Sequence, residues 1–249
     1  MSTILVTGGS GVLGSLVVPL LSDAGHDVRV LSRRPGAGTH TGDLATGAGV
    51  DEATDGTDVI VHCASDTRHF GRQDVEQTRT LVEAAAGSAE HIVYISIVGI
   101  DSIPLYYYVR KLACEGVIAT SGIPYTIFRA TQFHQLIEYL LNGVRRLPVA
   151  PLPLDFRFQP VAAREAAARL AELVEAGPAG GRAPDMGGPE VHTLSELAAT
   201  WQAAGLPPRK IVRLPVPGRV GDAFRRGLNT CPDLATGVET WAEFVASRQ

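Results

Sequence analysis

The 249-residue sequence predicts an α/β fold, a doubly wound parallel sheet with a smaller region at its C-terminal end. Three observations carry this prediction. The apolar run Ile4-Leu5-Val6-Thr7 enters a glycine cluster, and an apolar helical pattern leaves it. Continuous apolar runs of strand length then alternate with helical stretches as far as residue 129, which implies right-handed crossovers between parallel strands. Hydrophobic residues are 45% and charged residues 19%, a balance that supports a sizeable buried core.

The opening strand spans residues 3–8 and the first helix residues 12–24. Between them two templates overlap, Gly9-x-Gly11-x-x-Gly14 and Thr7-Gly8-x-x-Gly11-x-x-Gly14. The first glycines let the chain turn out of the strand. Gly11 lets backbone approach a pyrophosphate with no Cβ in the way, and Gly14 lets the helix pack closely. The free N–H groups of the helix start offer partial positive charge to phosphates. Strand, glycine turn and helix in this order open a Rossmann-type sheet that binds a dinucleotide. The expected contacts are Gly8, Ser10, Gly11, Val12, Leu13 and Gly14. The first helix carries Leu13, Leu16, Val17, Leu20 and Leu21 at helical spacing and ends at Gly25, with a kink expected at Pro19.

Val28–Ser32 reads as the second strand, and Ser32-Arg33-Arg34 follows where an NAD site places an acidic residue for the ribose 2′-hydroxyl. Arginine suits a 2′-phosphate through charge-assisted bidentate bonds, so Arg33 and Arg34 point to NADP(H). Residues 35–50 read as loop, with Gly42-Asp43-Leu44 closing a short third strand. Asp43 and Leu44 are candidate adenine contacts, although Asp43 equally suits a turn cap. Asp58–Ser65 is a strand buried on both faces, and the small residues Ala64 and Ser65 at its end leave room for a cofactor. His62 and Cys63 read as core. A helix over 73–86 and a strand over 91–98 follow, with Ser96 near the carboxyl end where ligands of such sheets bind.

Pro104 opens a helix that runs to about Thr120 and begins Tyr106-Tyr107-Tyr108-Val109-Arg110-Lys111. Tyr107 and Lys111 share a helical face. An ammonium close to a phenol favours the phenolate, so Lys111 would bring Tyr107 toward neutral pH. Tyr107 could then pass a proton to a substrate oxygen as hydride arrives at carbon, while Lys111 holds the nicotinamide ribose and Ser96 the same oxygen. The spacing also allows a plain tyrosine-rich helix start with an exposed lysine. Tyr108 is the alternative acid, and Tyr106 pairs in phase with Arg110.

Pro124–Arg129 is the last strand of the nucleotide-binding core, with Ala130-Thr131-Gln132-Phe133 beside the expected nicotinamide. Residues 1–133 are read as the core and 134–249 as a substrate-binding lid packed on it as one unit. Within the lid the expected elements are a helix at 134–143, a crossover at Pro148, Pro151 and Pro153, an alanine-rich helix at 162–176 and a loop at 177–188. A helix through Ala204 capped by Thr193 or Ser195, a short strand at 210–214 and helices near 218–228 and 238–247 complete it.

Net charge is −4, which argues against nonspecific nucleic-acid binding. Cys63, Cys114 and Cys231 have no metal-ligand spacing and suit a reduced compartment. The first strand starts too early for a signal peptide, and no run reaches the roughly 18 apolar residues of a membrane helix. A cytoplasmic protein without membrane or nucleic-acid partner is expected, acting on a small molecule, with a homo-oligomer left open.

These motifs together resemble the atypical short-chain dehydrogenase/reductases, in particular their NmrA-like NAD(P)H-binding branch. The resemblance rests on Thr7–Gly14, Ser32-Arg33-Arg34, Gly42-Asp43-Leu44, Tyr94-Ile95-Ser96, Tyr107 with Lys111, and Arg129–Phe133; Gln159-Pro160-Val161 and Gly188-Pro189-Glu190-Val191 look like later landmarks of that branch. It implies a Rossmann fold, a nicotinamide dinucleotide and often reduction of a ketone, enone or quinone. It carries Tyr107 and Lys111 onto a Tyr-x-x-x-Lys pair and Ser96 onto the serine beside it. It also implies two alternatives: a noncatalytic NADP(H) sensor that docks a partner, and an epimerase or dehydratase that keeps its nucleotide. Ser96 and Tyr107 are closer in sequence than in many classical members.

Overall fold

Strand β1 (Thr3–Thr7) buries Ile4, Leu5 and Val6 completely and runs parallel to both β2 (Asp27–Ser32) and β4 (Val59–His62). Val6 stands opposite Val30 on one side and Val61 on the other, so β-branched side chains fill the sheet centre. The structure is a computed structural model that describes residues 1–249 except Ala37, Arg146, Pro148, Pro208, Arg209 and Gln249. The expected crossover at Pro148 therefore lies partly outside the described residues.

Between the first strands lies α1 (Gly14–Asp23), whose Val17 and Leu21 are fully buried one turn apart. The helix continues through Pro19 and stops at Gly25, which takes the left-handed φ of +89°. Next come β3 (Thr39–Thr41) and α2 (Val50–Thr54), the latter a helical turn that begins at the last residue of the stretch expected as loop and runs on through residues given no element. Five residues are too few to show a helical period. After β4 follow α3 (Asp74–Ala84), β5 (His91–Ile97), α4 (Tyr106–Ala119) and β6 (Tyr125–Ala130). The sheet order is β3-β2-β1-β4-β5-β6, extended past β6 by a two-residue strand, β9. The order reverses between β1 and β4, the point where strand ends diverge and ligands of this architecture enter.

The chain beyond β6 forms α5 (His134–Gly143), β7 (Ala150–Leu152), β8 (Arg157–Phe158), α6 (Ala163–Ala176), β9 (Gly181–Arg182) and β10 (His192–Thr193). Then come α7 (Leu194–Ala203), β11 (Ile211–Arg213), α8 (Gly218–Arg225) and α9 (Trp241–Ala246). The strand expected to end the sheet is thus flanked by β9, whose Gly181 pairs with Thr126. β8 pairs antiparallel with β10, and β7 parallel with β11.

By its internal contacts the chain divides into two units. The first comprises Met1–Ser96, Tyr106–Arg129 and Ala166–Pro184, and holds the main sheet apart from the last residues of β5 and β6. Its core joins Leu5, Ile60, Leu81, Ile92, Tyr94, Cys114 and Ile118. The second comprises Ile97–Leu105, Ala130–Glu165 and Asp185–Gln249. There Gln159, fully buried, accepts from the Cys231 amide (2.7 Å) and donates to the Gly188 carbonyl (2.8 Å). Gln132 and Asn229 exchange two further bonds of 3.1 and 3.2 Å. His134, Trp201, Trp241 and Phe244 stack together at centroid distances of 4.9–6.0 Å. Thr193 caps α7 in a reciprocal box with Glu196, as the Thr-x-x-Glu spacing predicts, and Thr240 with Glu243 caps α9 in the same way.

Candidate active site

The glycine turn after β1 is built as a cradle. Gly8 has φ +71°, and a Cβ there would stand 2.7 Å from the Ala64 amide nitrogen. A Cβ on Gly9 would come within 2.6 Å of Val30 Cγ1, and one on Gly11 within 3.2 Å of the Gly8 carbonyl oxygen. Gly14 makes its close approach to the turn itself, since a Cβ would collide with that same carbonyl and the Gly9 Cα. That differs from a packing role against the sheet, and the reason is geometric: α1 starts directly beneath the turn. Ser10, Gly11 and Val12 are exposed, whereas Leu13 and Gly14 are buried. The N-cap Leu13 brings no side-chain bond to the helix start, and among the described residues no carbonyl takes the Val12, Leu13 or Gly14 amide. These amides fit a diphosphate.

At the end of β2, the Ser32 hydroxyl donates to the Arg34 carbonyl (2.9 Å) and accepts from the Arg34 amide (3.1 Å), which bends the chain. Arg33 and Arg34 are exposed, and no ion pair among the described residues engages either guanidinium. Asp43 accepts from the Ala45 amide at 2.9 Å, so the turn-cap role is filled by one carboxylate oxygen. The Leu44 side chain is buried in the core. Ala130 ends β6, and its carbonyl accepts from the Val98 amide at 3.1 Å.

Beyond β4 a line of hydrogen bonds begins. The Ser65 hydroxyl donates to Asp74 at 2.7 Å and lies 3.0 Å from the Tyr107 hydroxyl. The second carboxylate oxygen of Asp74 accepts from the Asp66 amide at 2.7 Å. Asp74 opens α3 and Tyr107 opens α4, so two helix starts bring these groups together. Tyr106 is exposed and Tyr108 buried. Thr78, one turn along α3, donates to the Asp74 carbonyl (2.7 Å) and meets His62 Nε2 (3.2 Å); Nδ1 of that imidazole meets the Thr7 hydroxyl (2.7 Å).

Lys111 is 3% exposed, not the solvated lysine of the plain reading. Its ammonium donates to the Ile95 carbonyl at 2.9 Å and sits 4.1 Å from the centroid of Tyr94. Burial lowers its pKa, against the raising effect of Cys114, Asp74, Cys63 and Glu115. The Ser96 hydroxyl, one residue on, is buried and has no hydrogen-bond partner among the described residues. No hydrogen bond among the described residues joins Tyr107 to Lys111 or Ser96 to Tyr107.

The expected downward pull of Lys111 on Tyr107 is not what the structure has. Burial pushes the phenol up to about 12, a Ser65 hydroxyl donating to the phenol would oppose this, and Asp74 and Cys114 add to it. Desolvating a phenolate beside a carboxylate outweighs a cation that is turned to β5. Two members of this site, Asp74 and Gly71, are in no sequence motif. Asp74 stands in the first turn of α3. Tyr94 belongs to the Tyr94-Ile95-Ser96 stretch that carries the resemblance, which gave no sign of its place beside the Lys111 ammonium. Gly71 carried no motif, yet its φ is +71° and a Cβ would lie 2.9 Å from the Tyr107 ring.

Comparison with known proteins bears on this arrangement. A family model described as NAD(P)H-binding matches residues 8–136, from the glycine turn past the end of β6. The (4-alkanoyl-5-oxo-2,5-dihydrofuran-3-yl)methyl phosphate reductase of Streptomyces griseus is 30% identical over 207 residues, 79% of this chain and 71% of that protein. Photosystem II assembly factor Ycf39 of Trieres chinensis is 30% identical over 166 residues, 59% of this chain and 51% of that protein. The structure of the NADPH-dependent quinone oxidoreductase QOR2 of Escherichia coli, complexed with NADPH, superposes with a TM-score of 0.79 at 22% identity and covers 98% of this chain and 99% of that one. The last is a likeness of fold. With the diphosphate cradle and the match that begins on it, the chain belongs to the NAD(P)H-binding family.

Proposed function

We propose that the chain is an NADPH-dependent reductase of a carbonyl, enone or quinone-like small molecule, of the NmrA-like branch of the atypical short-chain dehydrogenase/reductases. The observation that carries the reading is the Tyr107 hydroxyl, held in a partly buried hydrogen-bonded line at the mouth of the sheet that also bears the glycine cradle. The amides of Ser10, Val12, Leu13 and Gly14 hold the diphosphate, Gly11, whose own amide donates to the Gly8 carbonyl at 2.9 Å, lets it approach, and Gly8 keeps the turn clear. Arg33 and Arg34 take the 2′-phosphate, Asp43 and Leu44 border the adenine, and Ala64, Ser65 and Ala130 border the rest of the dinucleotide. The nicotinamide supplies the hydride when bound. Tyr107 gives a proton to the substrate oxygen, and the unpartnered Ser96 hydroxyl bonds the same oxygen. Lys111 keeps one N–H free of its Ile95 and Tyr94 contacts for the ribose.

The Streptomyces relative supports the reductive direction, since the compound in its name carries an alkanoyl and a ring oxo group. Residues 134–249 are assigned to substrate binding, in a cytoplasmic protein without membrane or nucleic-acid partner, and a second copy of the chain is a candidate partner. Among the described residues no helix is long and apolar enough to cross a membrane. The test is Tyr107→Phe, assayed over a panel of carbonyl compounds and quinones with NADPH binding followed in parallel. Turnover should fall at least about a hundredfold with NADPH affinity retained. Full turnover of a confirmed substrate rejects Tyr107 as the acid.

A second reading is a noncatalytic NADP(H) sensor that docks another protein. The raised Tyr107 phenol and the likeness to an assembly factor favour it. It requires no NADPH consumption across the same panel and different partner affinities with NADP⁺ and NADPH.

A further inference from the structure

We propose that Asp74, acting through Ser65, is a positioning residue that turns the Tyr107 hydroxyl proton into the protein and leaves the phenol lone pairs for the substrate. The inference deepens the reading of Tyr107 as the proton-transfer group and rests on it for its catalytic consequence.

The argument is one of counting protons. A serine hydroxyl has one proton and two lone pairs, and a carboxylate has acceptors only. Ser65 lies 2.7 Å from an Asp74 oxygen and 3.0 Å from the Tyr107 oxygen. Its proton goes to the carboxylate, so the Tyr107 O–H must be the donor of the second bond. Asp74 cannot swing away. It is 3% exposed, and its other oxygen is held by the Asp66 amide at 2.7 Å. Both groups also pack on the Gly71 backbone: a Cβ there would lie 2.9 Å from Tyr107 Cδ2 and 3.1 Å from Asp74 Oδ2, so they close on a site that admits only glycine.

The titratable groups around the phenol are few. Asp74 faces it from α3, Cys114 from its own helix and Tyr94 from β5, while Lys111 is turned to the Ile95 carbonyl. A serine donating to the phenol oxygen would pull its pKa down. Here that proton is already committed to Asp74, and charge and hydrogen bonding both keep Tyr107 protonated.

The line gives proton transfer a direction. In alcohol oxidation the substrate O–H proton passes to Tyr107, the Tyr107 proton to Ser65 and the Ser65 proton to Asp74. A bound oxidised nicotinamide would supply the hydride acceptor, so the alcohol would become the carbonyl while Asp74 holds the proton. Carbonyl reduction runs the same moves backwards, from a protonated Asp74 through Ser65 and Tyr107 to the substrate oxygen.

The test is read without turnover. The full chain is labelled with 3-fluorotyrosine, which brings the phenol into an accessible pH range, and Tyr107 is assigned with Tyr107→Phe. Its midpoint is followed by ¹⁹F NMR in the absence of cofactor. Asp74→Asn should lower the midpoint by about one pH unit or more, because an amide N–H donates to Ser65, turns the serine proton toward Tyr107 and removes the charge. Ser65→Ala should also lower it, by removing the acceptor of the neutral phenol, and serves if Asp74→Asn fails to fold. In the Ser65→Ala background, Asp74→Asn should move the midpoint by less than half as much. An unchanged midpoint in folded Asp74→Asn overturns the proposal, as does a rise in Ser65→Ala or an equal Asp74→Asn shift in both backgrounds. If the midpoints move as stated while Tyr107→Phe keeps its turnover, the coupling stands and the catalytic reading of Tyr107 falls.

Discussion

Arg33 is the residue whose loss should separate two cofactors. Its guanidinium is exposed and no ion pair among the described residues engages it, so Arg33→Ala removes no internal contact that NADH binding needs. NADPH affinity should fall by roughly 1.5–3 kcal/mol, the worth of one charge-assisted hydrogen bond, and NADH affinity should hold. Calorimetry with both reduced cofactors decides it, and equal losses would transfer the 2′-phosphate to Arg34 or elsewhere. What a residue brings to a site alone was readable here, as with the arginine fork, the phenol and the ammonium one helical turn from it. What it meets was not. Asp74 and Tyr107 are 33 positions apart, and helical period tells which face a side chain occupies without telling which neighbour it finds there. Hence Tyr107 was legible as a candidate while the carboxylate that governs it was hidden, and the ammonium expected beside it turned to β5 instead.

Among elements, the turn between β1 and α1 was the most legible, because a Cβ on Gly8, Gly11 or Gly14 would crowd a backbone atom and one on Gly9 would meet the Val30 side chain. Gly8 and Gly25 provide a controlled pair. Both have left-handed φ, +71° and +89°, but a Cβ on Gly25 meets nothing within 4 Å, while one on Gly8 would stand 2.7 Å from the Ala64 amide nitrogen. Gly25→Ala should cost about 1–2 kcal/mol, the left-handed strain alone. Gly8→Ala should cost a further 1–3 kcal/mol or so from overpacking against β4 and should abolish nucleotide binding. Urea midpoints of the two variants measure the difference, and equal costs would show that the turn relaxes away from β4. Long elements with a period or a cap were readable, including α7 from its Thr193–Glu196 box, and the box at Thr240 was equally written in the sequence. The strands β8, β9 and β10 were not, because each is two residues long and alternation needs more. Their pairing is set by tertiary contacts: β9 adds to the open edge of β6, while β8 and β10 pair with each other.

On the scale of the molecule, buried histidines make stability depend on pH in a calculable direction. In the first unit, burial with help from Lys111 lowers His62 to about 3, and burial lowers His91 to about 4. In the second, burial lowers His134 against the pull of Glu239. All three folded values lie below the unfolded value near 6.5, so between them the unfolded chain binds more protons than the folded one. Stability is therefore full above about pH 6.5 and declines as pH falls, by up to about 1.4 kcal/mol per pH unit for each histidine. The loss attached to His62 continues to about pH 3 and that of His91 to about pH 4. Carboxylates that cap α7 and α9, Glu196 and Glu243, are held below their ordinary range and add their own losses only in stronger acid. The interval from pH 6.5 to 5 thus isolates the imidazoles. Urea midpoints should drop steadily across it, and His62→Gln, which can still bond the Thr7 and Thr78 hydroxyls, should flatten the slope in proportion to one lost titration. A midpoint that stays level from pH 7 to 5 would mean that these imidazoles reach water in the folded chain, and the buried line from Thr7 through His62 and Thr78 to Asp74 would have to be redrawn.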